Sequence, residues 1–396
     1  MTSADRPARF ALRATADAAG IGGAVARAGV LTLTHGEVNT PAFMPVGTAG
    51  TVKGLTPEEV EGTGAEMVLA NTYHLWQRPG HEQVAALGGL HKMMQWKRPI
   101  LTDSGGYQVF SLASKQAHHT NTQSRVRLSE EGVRFCSHFD GHWRELTPEL
   151  AITIQETLGV DVAMALDECI APGADRRGVI ASTRRTTRWL KRCLDARQRT
   201  DRTAVFGIVQ GGFHEDLRAE HAGVLSKMDL DGYAIGGLSV VESRELTGQM
   251  VRVAAAALPQ DKIRYLMGVG YPLDIVEAVI SGVDLFDCVL PTRSGRFGQV
   301  FTSKGRMTIK HARFREDPRP LDESCACYTC RSFSRAYLRH LHTSNEVLAP
   351  RLLTLHNLTF YQRMMSRLRA AVPEGPAALA AMRDEAVGWQ ARYSEP

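Results

Sequence analysis

No apolar stretch in this chain of 396 residues reaches membrane-spanning length, and residues 1–20 hold no apolar block of the signal-peptide kind. A disulfide framework is equally hard to read into it. The seven cysteines are an odd number with no secretory signature, so reduced thiols in the cytoplasm are expected. There is no G-x-G-x-x-G after the first strand-like run, and no H-E-x-x-H or comparable histidine pair near the ends of such runs. Internal repeats and low-complexity tracts are absent too. No one sign of charge dominates: the formal net charge of +5, carried mostly by arginine, permits a nucleic-acid partner without requiring one. The hydrophobic content of 43% and charged content of 22% are ordinary for a soluble globular protein. This length suits one large barrel-type domain with an appendage, or two ordinary domains.

What is present is a rhythm. Eight short apolar runs end abruptly in polar or glycine residues, at 43–47, 67–71, 100–106, 162–167, 205–210, 233–237, 265–268 and 285–287. The intervals leave room for helices, and several helix starts are marked. Thr56-Pro57-Glu58-Glu59 and Thr147-Pro148-Glu149 place a capping hydroxyl before a proline and an acid, and Pro272 opens an amphipathic run. Buried strands alternating with helices predict an α/β chain closed as a (β/α)8 TIM barrel. An open doubly wound sheet is the alternative, and the missing glycine fingerprint disfavours it. Residues 125–135 alternate about a turn and predict a β-hairpin insertion. The expected organisation is an N-terminal β segment closing the barrel (1–42), the barrel (43–303), a helical subdomain that carries a cysteine cluster (304–370) and a C-terminal helix or tail (371–396).

The segment FDCVLPTRSGR at 286–296 puts Asp287 at the end of an apolar run, with Arg293 and Arg296 in what reads as a loop behind it. A carboxylate can attack or move a proton, and guanidinium forks can grip phosphate. In a barrel the strand ends converge on one mouth, which would gather Asp103, Asp167, Gln210, Gly237 and Asp287. Taken singly, each is also readable as a cap or loop residue. Glycines after Asp103 and around Gly237 let backbone approach a flat ligand, while Tyr107 and Met267 offer an aromatic face and a polarisable one. Acid, amide and backbone N–H groups match the edge of a guanine-like base. Two carboxylates at a glycosidic bond then suit double displacement, one attacking the anomeric carbon and the other handling the proton.

Cys325, Cys327 and Cys330 form C-x-C-x2-C, followed by His340, His342 and His356. Three thiolates so close, closed by one later histidine, fit a tetrahedral structural zinc with no open position. Spacing alone does not choose the histidine. Cys136, Cys169, Cys193 and Cys288 are scattered and read as packing residues.

Taken together, DSGGYQ at 103–108, GIVQGG at 207–212, YLMGVG at 265–270, the segment at 286–296 and the cysteine cluster resemble the tRNA-guanine transglycosylase family, the bacterial queuine tRNA-ribosyltransferases. The likeness runs from about residue 43 to residue 369. It implies a cytoplasmic, homodimeric zinc enzyme that exchanges the wobble guanine of GUN-anticodon tRNAs for 7-aminomethyl-7-deazaguanine, a step of queuosine biosynthesis. By match of motif, Asp287 would be the nucleophile and Asp103 the general acid/base. Ser104, Gly105, Gly106, Asp167, Gln210, Gly236, Gly237 and Leu238 would bind the base, with Tyr107 and Met267 sandwiching it. Gly268, Val269, Gly270, Tyr271, Pro272, Leu273 and Asp274, with Thr292, Arg293, Ser294, Gly295 and Arg296, would hold the anticodon loop. His356 aligns as the fourth zinc ligand. Three departures stand out: Phe297 where the family has a small polar residue, Val241 in place of a glycine, and a longer 113–124 stretch. Val240 resembles the bacterial pattern, which favours the aminomethyl base over queuine.

Two other classes fit part of the pattern. A zinc-dependent barrel hydrolase needs a metal with an open position near the strand ends. A non-enzymatic zinc RNA-binding module would use the cysteine cluster and the basic helix near 184–197, leaving the strand-end acids without a role.

Overall fold

The computed structural model describes residues 6–109, 126–170, 173–238 and 243–391. The 113–124 stretch, Val240 and Val241 lie outside the described residues.

A parallel sheet forms the centre, and it closes. Its nine strands run in spatial order from Ala42–Met44 through Leu285–Asp287, Ile263–Leu266, Gly232–Ile235, Ala204–Val209, Val162–Met164, Ile100–Asp103 and Val68–Asn71 to Val46–Gly47. The two edge strands are separated in sequence only by Pro45. They are two pieces of one strand, paired with the last strand at Phe286↔Phe43 and with the second at Val46↔Leu69. Proline has no N–H for a ladder, so the first strand breaks there while the barrel still closes on eight positions.

Alternation along the strands sorts side chains inward and outward. Met67 and Leu69 join the barrel interior with Met44, Val162, Met164, Phe206 and Tyr265, whereas Val68 and Ala70 pack outward under the helices. The N-terminal strands Arg9–Asp17, Val25–Leu33 and Gly36–Thr40 make an antiparallel sheet across the bottom of the barrel. Its Leu31, Leu33 and Val38 complete the interior cluster. Buried Arg27 secures this cap by donating to Asp284 (3.1 and 2.5 Å) and to the carbonyls of Gln260 and Lys262. With its floor sealed, the barrel presents ligands with one open end, at the strand C-termini.

The hairpin expected at 125–135 has a third partner. Trp143–Leu146 pairs antiparallel with Val133–Cys136, which pairs with Val126–Leu128. Beyond the barrel come a hairpin, Gln299–Thr302 with Gly305–Thr308, and the helices Tyr328–Ser332, Arg335–Thr343, Leu348–Glu374 and Pro376–Gln390. The 27-residue helix runs through position 370, where the sequence suggested a boundary, and ends at Gly375, whose φ of 95° turns the chain.

One local reading needs correcting. Residues 290–296, expected as a loop, form a helix, Leu290–Arg296, with Pro291 in its first turn. Little in Pro-Thr-Arg-Ser-Gly-Arg marks a helix, and tertiary packing decides it. Gly295 lies so close to the long C-terminal helix that a Cβ there would sit 2.7 Å from the Thr354 nitrogen.

Candidate active site and metal centre

Asp103 ends the third barrel strand with its side chain held from several sides. Oδ1 accepts the N–H groups of Thr72 (3.1 Å) and Gly105 (3.2 Å), and the Asn71 amide donates to Oδ2. Burial still dominates and pushes its carboxyl up to about 7, helped by the negative charge of nearby Asp287 and opposed by those N–H donors. Near neutrality such a group both gives and takes a proton.

Asp287 ends the eighth strand. Its Oδ1 accepts the Tyr265 phenol at 2.6 Å and the Gly268 N–H at 2.8 Å. Burial raises its carboxyl above the ordinary range, and these two donors offset part of that. Oδ2 has no hydrogen-bond partner among the described residues, so one oxygen is anchored and the other is free to react. Tyr265 and Asn71, which orient the two acids, belong to runs recognised in the sequence but carried no chemical signal of their own.

A second group of residues forms a polar slot. Gln210 donates through Nε2 to Asp167 Oδ2 at 2.7 Å, and burial pushes the Asp167 carboxyl up to about 6, which Gln210 partly opposes. The Gln210 N–H is itself fixed on His221 Nδ1 at 2.8 Å. Glycine is required alongside. At Gly237, with φ +73°, a Cβ would lie 2.6 Å from Gln210 Oε1, and one on Gly236 would lie 2.6 Å from Ile208 Cγ2 and 3.2 Å from Gln210 Nε2. Ser104, Gly105, Gly106 and Leu238 are buried beside these groups, whereas Tyr107 is 47% exposed. Arg218 is a residue that motif reading passed over. Fully buried, it donates to the carbonyls of Gly212 (2.7 and 3.1 Å), Gly236 (3.2 Å) and Val209 (3.4 Å), and so stiffens the backbone behind the slot. A lone arginine in an amphipathic helix gives no sequence signal for that.

The segments expected to hold RNA divide by exposure. Tyr271 and Arg293 face solvent and Arg296 is half-buried, whereas Val269, Gly270, Pro272, Thr292, Ser294 and Gly295 are buried. The Thr292 hydroxyl donates to the Val289 carbonyl (3.0 Å), and Asp274 pairs with Arg244 (2.5 Å). Leu273, half-buried, takes the Gln390 side-chain oxygen on its N–H (3.0 Å). Gly268 serves Asp287 as described above.

The candidate metal cluster is built from the C-terminal segment. Cys325, Cys327, Cys330 and His356 are all buried, and their ligand atoms lie within 4.8 Å of one another. Cys327 caps the helix Tyr328–Ser332, bringing Cys330 back one turn, and His356 enters from the long helix. His356 Nε2 donates to the Phe301 carbonyl at 2.8 Å, which leaves the Nδ1 lone pair facing Cys330 Sγ (3.3 Å) and Cys327 Sγ (3.6 Å). The fourth donor is therefore His356. His340 is exposed, and His342 packs over Gly298.

A family model described as queuine tRNA-ribosyltransferase matches residues 22–386. The queuine tRNA-ribosyltransferase of Solidesulfovibrio magneticus is 52% identical over 357 residues, covering 90% of this chain and 93% of its own length. That of Cereibacter sphaeroides is 53% identical over 350 residues, with 88% and 90% covered. That of Nitratidesulfovibrio vulgaris is 50% identical over 370 residues, with 93% and 94% covered. The chain belongs to the queuine tRNA-ribosyltransferase family. It is accordingly an enzyme of the glycosyltransferase class.

Membership accounts for features that the rival classes leave unused. A barrel hydrolase would need an open metal position at the mouth, but the Cys3His group is buried and closed. The helix Arg176–Asp195 spends part of its charge locally: Arg176 pairs with Asp216, Arg185 and Arg188 pair with Glu130, and Arg192 pairs with Glu149. Those pairs suit a solvated barrel face. No helix is long and apolar enough to cross a membrane among the described residues.

Proposed function

We propose that this enzyme exchanges the wobble guanine of GUN-anticodon tRNAs for 7-aminomethyl-7-deazaguanine by double displacement. Asp287 Oδ2 attacks the ribose C1′, and the C1′–N9 bond breaks toward the departing guanine. Asp103 delivers the proton that the guanine anion takes up. The incoming base then loses its N9 proton to Asp103 and attacks C1′, breaking the ester to Asp287. Proton and electron pair are both returned by the end of the cycle.

One observation carries this reading: Asp287 is anchored through one oxygen and free at the other, beside a second acid whose carboxyl titrates near neutrality. The slot of Asp167, Gln210, Gly236 and Gly237 supplies acceptor, amide and backbone groups for the base edge, with Tyr107 and Met267 on its two faces. The segments at 268–274 and 292–296 hold the anticodon loop, with Arg293, Arg296 and Tyr271 as the accessible contacts and the buried residues shaping the backbone. A structural zinc in the Cys3His site fits the tetrahedral thiolate-imidazole donor set and ties the C-terminal helices to the hairpin that carries Phe301. The working form is a cytoplasmic homodimer, with one subunit reacting while the other positions the tRNA.

The test is incorporation of radiolabelled guanine into tRNA bearing a GUN anticodon. Wild-type enzyme is expected to incorporate label and Asp287→Ala to incorporate none. Exchange by Asp287→Ala at the wild-type rate would overturn the nucleophile assignment. Competition among guanine, the aminomethyl base and queuine then ranks the incoming substrates.

A further inference from the structure

The helix after the eighth strand is two-faced. Thr292, Ser294 and Gly295 face inward, while Val289, Arg293, Arg296 and Phe297 are accessible. These four stand at i, i+4, i+7 and i+8, the spacing of a single helical stripe. The backbone confirms the register: the Arg293 N–H donates to the Val289 carbonyl (2.7 Å) and the Phe297 N–H to the Arg293 carbonyl (3.2 Å). The stripe starts two residues after Asp287. At 1.5 Å per residue it extends roughly 12 Å from Val289 to Phe297, the length of about three stacked nucleotides.

Among the described residues, the chemistry of the stripe is unsatisfied. Several surface arginines of the barrel and C-terminal helices are paired with acids, as in Arg176–Asp216, Arg188–Glu130, Arg351–Glu59 and Arg367–Glu385. Arg293 and Arg296 have no acidic partner among the described residues. They lie close enough for the charge of Arg293 to oppose that of Arg296. Phe297 is 70% exposed, with no ring or cation partner among the described residues. Its backbone is nonetheless rigid, since its N–H caps the helix and Gly298 is covered by His342. An exposed ring on a fixed backbone, beside two unneutralised guanidinium groups, is a stacking platform next to a phosphate grip.

We propose that Phe297 stacks against an unpaired base of the anticodon loop flanking the exchanged nucleoside, while Arg293 and Arg296 hold the intervening phosphates. This rests on the proposed tRNA substrate. It makes Phe297 a positioning residue that contributes to RNA affinity and leaves the reacting atoms alone.

The experiment uses full-length enzyme and an anticodon stem-loop RNA, with 2-aminopurine placed in turn at each loop position beside the exchanged one. Phe297→Ser and Phe297→Trp are compared with wild type for guanine exchange, RNA KM, kcat and quenching of the probe. At one position, wild type and Phe297→Trp are expected to quench the probe, and Phe297→Ser to leave it bright. The RNA KM of Phe297→Ser is expected to rise about tenfold, with kcat and the guanine KM within twofold of wild type. Thermal melting and metal content confirm that the variants are folded. An unchanged RNA KM and unchanged quenching in Phe297→Ser, with exchange intact in wild type, would overturn the proposal. Absence of exchange in wild type would overturn instead the reading of the site on which it rests.

Discussion

The Tyr265 hydroxyl donates to Asp287 Oδ1 at 2.6 Å, from the neighbouring barrel strand and wholly out of solvent. That contact does two things: it fixes which carboxylate oxygen faces the mouth, and it lowers the cost of ionising a buried acid. Tyr265→Phe keeps the ring and removes the donor. A hydrogen bond to a charged group contributes about 1.5–3 kcal/mol, so kcat/KM is expected to fall by roughly tenfold to a hundredfold. The acid limb of the pH profile should move to higher pH, since Asp287 becomes harder to ionise. Unchanged kinetics and an unmoved acid limb would show that Tyr265 only fills space.

The pH dependence follows from the two raised carboxyls. Asp287 must be ionised to attack, so activity falls at low pH. Asp103, raised by burial to about 7, must carry its proton into the first displacement, so kcat/KM for tRNA should fall again as pH rises through that region. Because the two acids interact, the limbs belong to the pair. Asp103→Asn should lose most of the rate and with it the alkaline limb. A profile flat from pH 6 to 9 in wild type would contradict the assignment.

Removing the metal should act on the C-terminal segment first. The Cys3His group joins the short helix Tyr328–Ser332 to His356 on the long helix and includes none of the strand-end residues Asp103, Asp167, Gln210 or Asp287. With a strong chelator, or in His356→Ala, Cys325, Cys327 and Cys330 should become reactive to alkylation, with a lower melting temperature. Guanine binding at the mouth should decline later. Metal analysis finding no ion in well-folded protein would contradict the site.

On the sealed face of the barrel, buried Asp161 accepts His35 Nδ1 (2.9 Å) and His91 Nε2 (3.1 Å), clasping the N-terminal sheet to the barrel. Hydrogen bonding to Asp161 raises the His35 imidazole, against the opposing effect of burial. A raised histidine contributes stability fully below its unfolded value, near 6.5, and loses it as pH rises through the folded value. Burial pushes Asp161 up, but the two histidines outweigh it and hold the acid below its usual range, so its share is lost only in strong acid. Wild type should therefore lose melting temperature between pH 6 and pH 8.5, and His35→Gln should lose less. Equal slopes in the two proteins would remove the clasp.

The strand-end acids and glycines were legible in the sequence because each sits where an apolar run stops. The capping box at Thr56 and the cap at Thr147 were equally plain, and both side chains accept the expected N–H. What escaped was set by contacts between distant segments. Pro45 divides a strand without opening the barrel, which no local pattern distinguishes from a strand end. Residues 290–296 become helical because Gly295 packs on Thr354. Arg218 matters through three backbone carbonyls, and hydrophobic periodicity reports nothing about those. The histidine of the metal cluster was open from spacing alone and is decided by which ring nitrogen faces the thiols.

The central claim is that Asp287 carries the ribose during exchange. Enzyme quenched in denaturant after mixing with an anticodon stem-loop, without added base, should yield a covalent RNA adduct on the peptide containing Asp287 by mass spectrometry. Asp287→Ala should yield none, and added guanine should discharge the wild-type adduct. An adduct on any other residue, or guanine exchange by Asp287→Ala at the wild-type rate, would contradict the account.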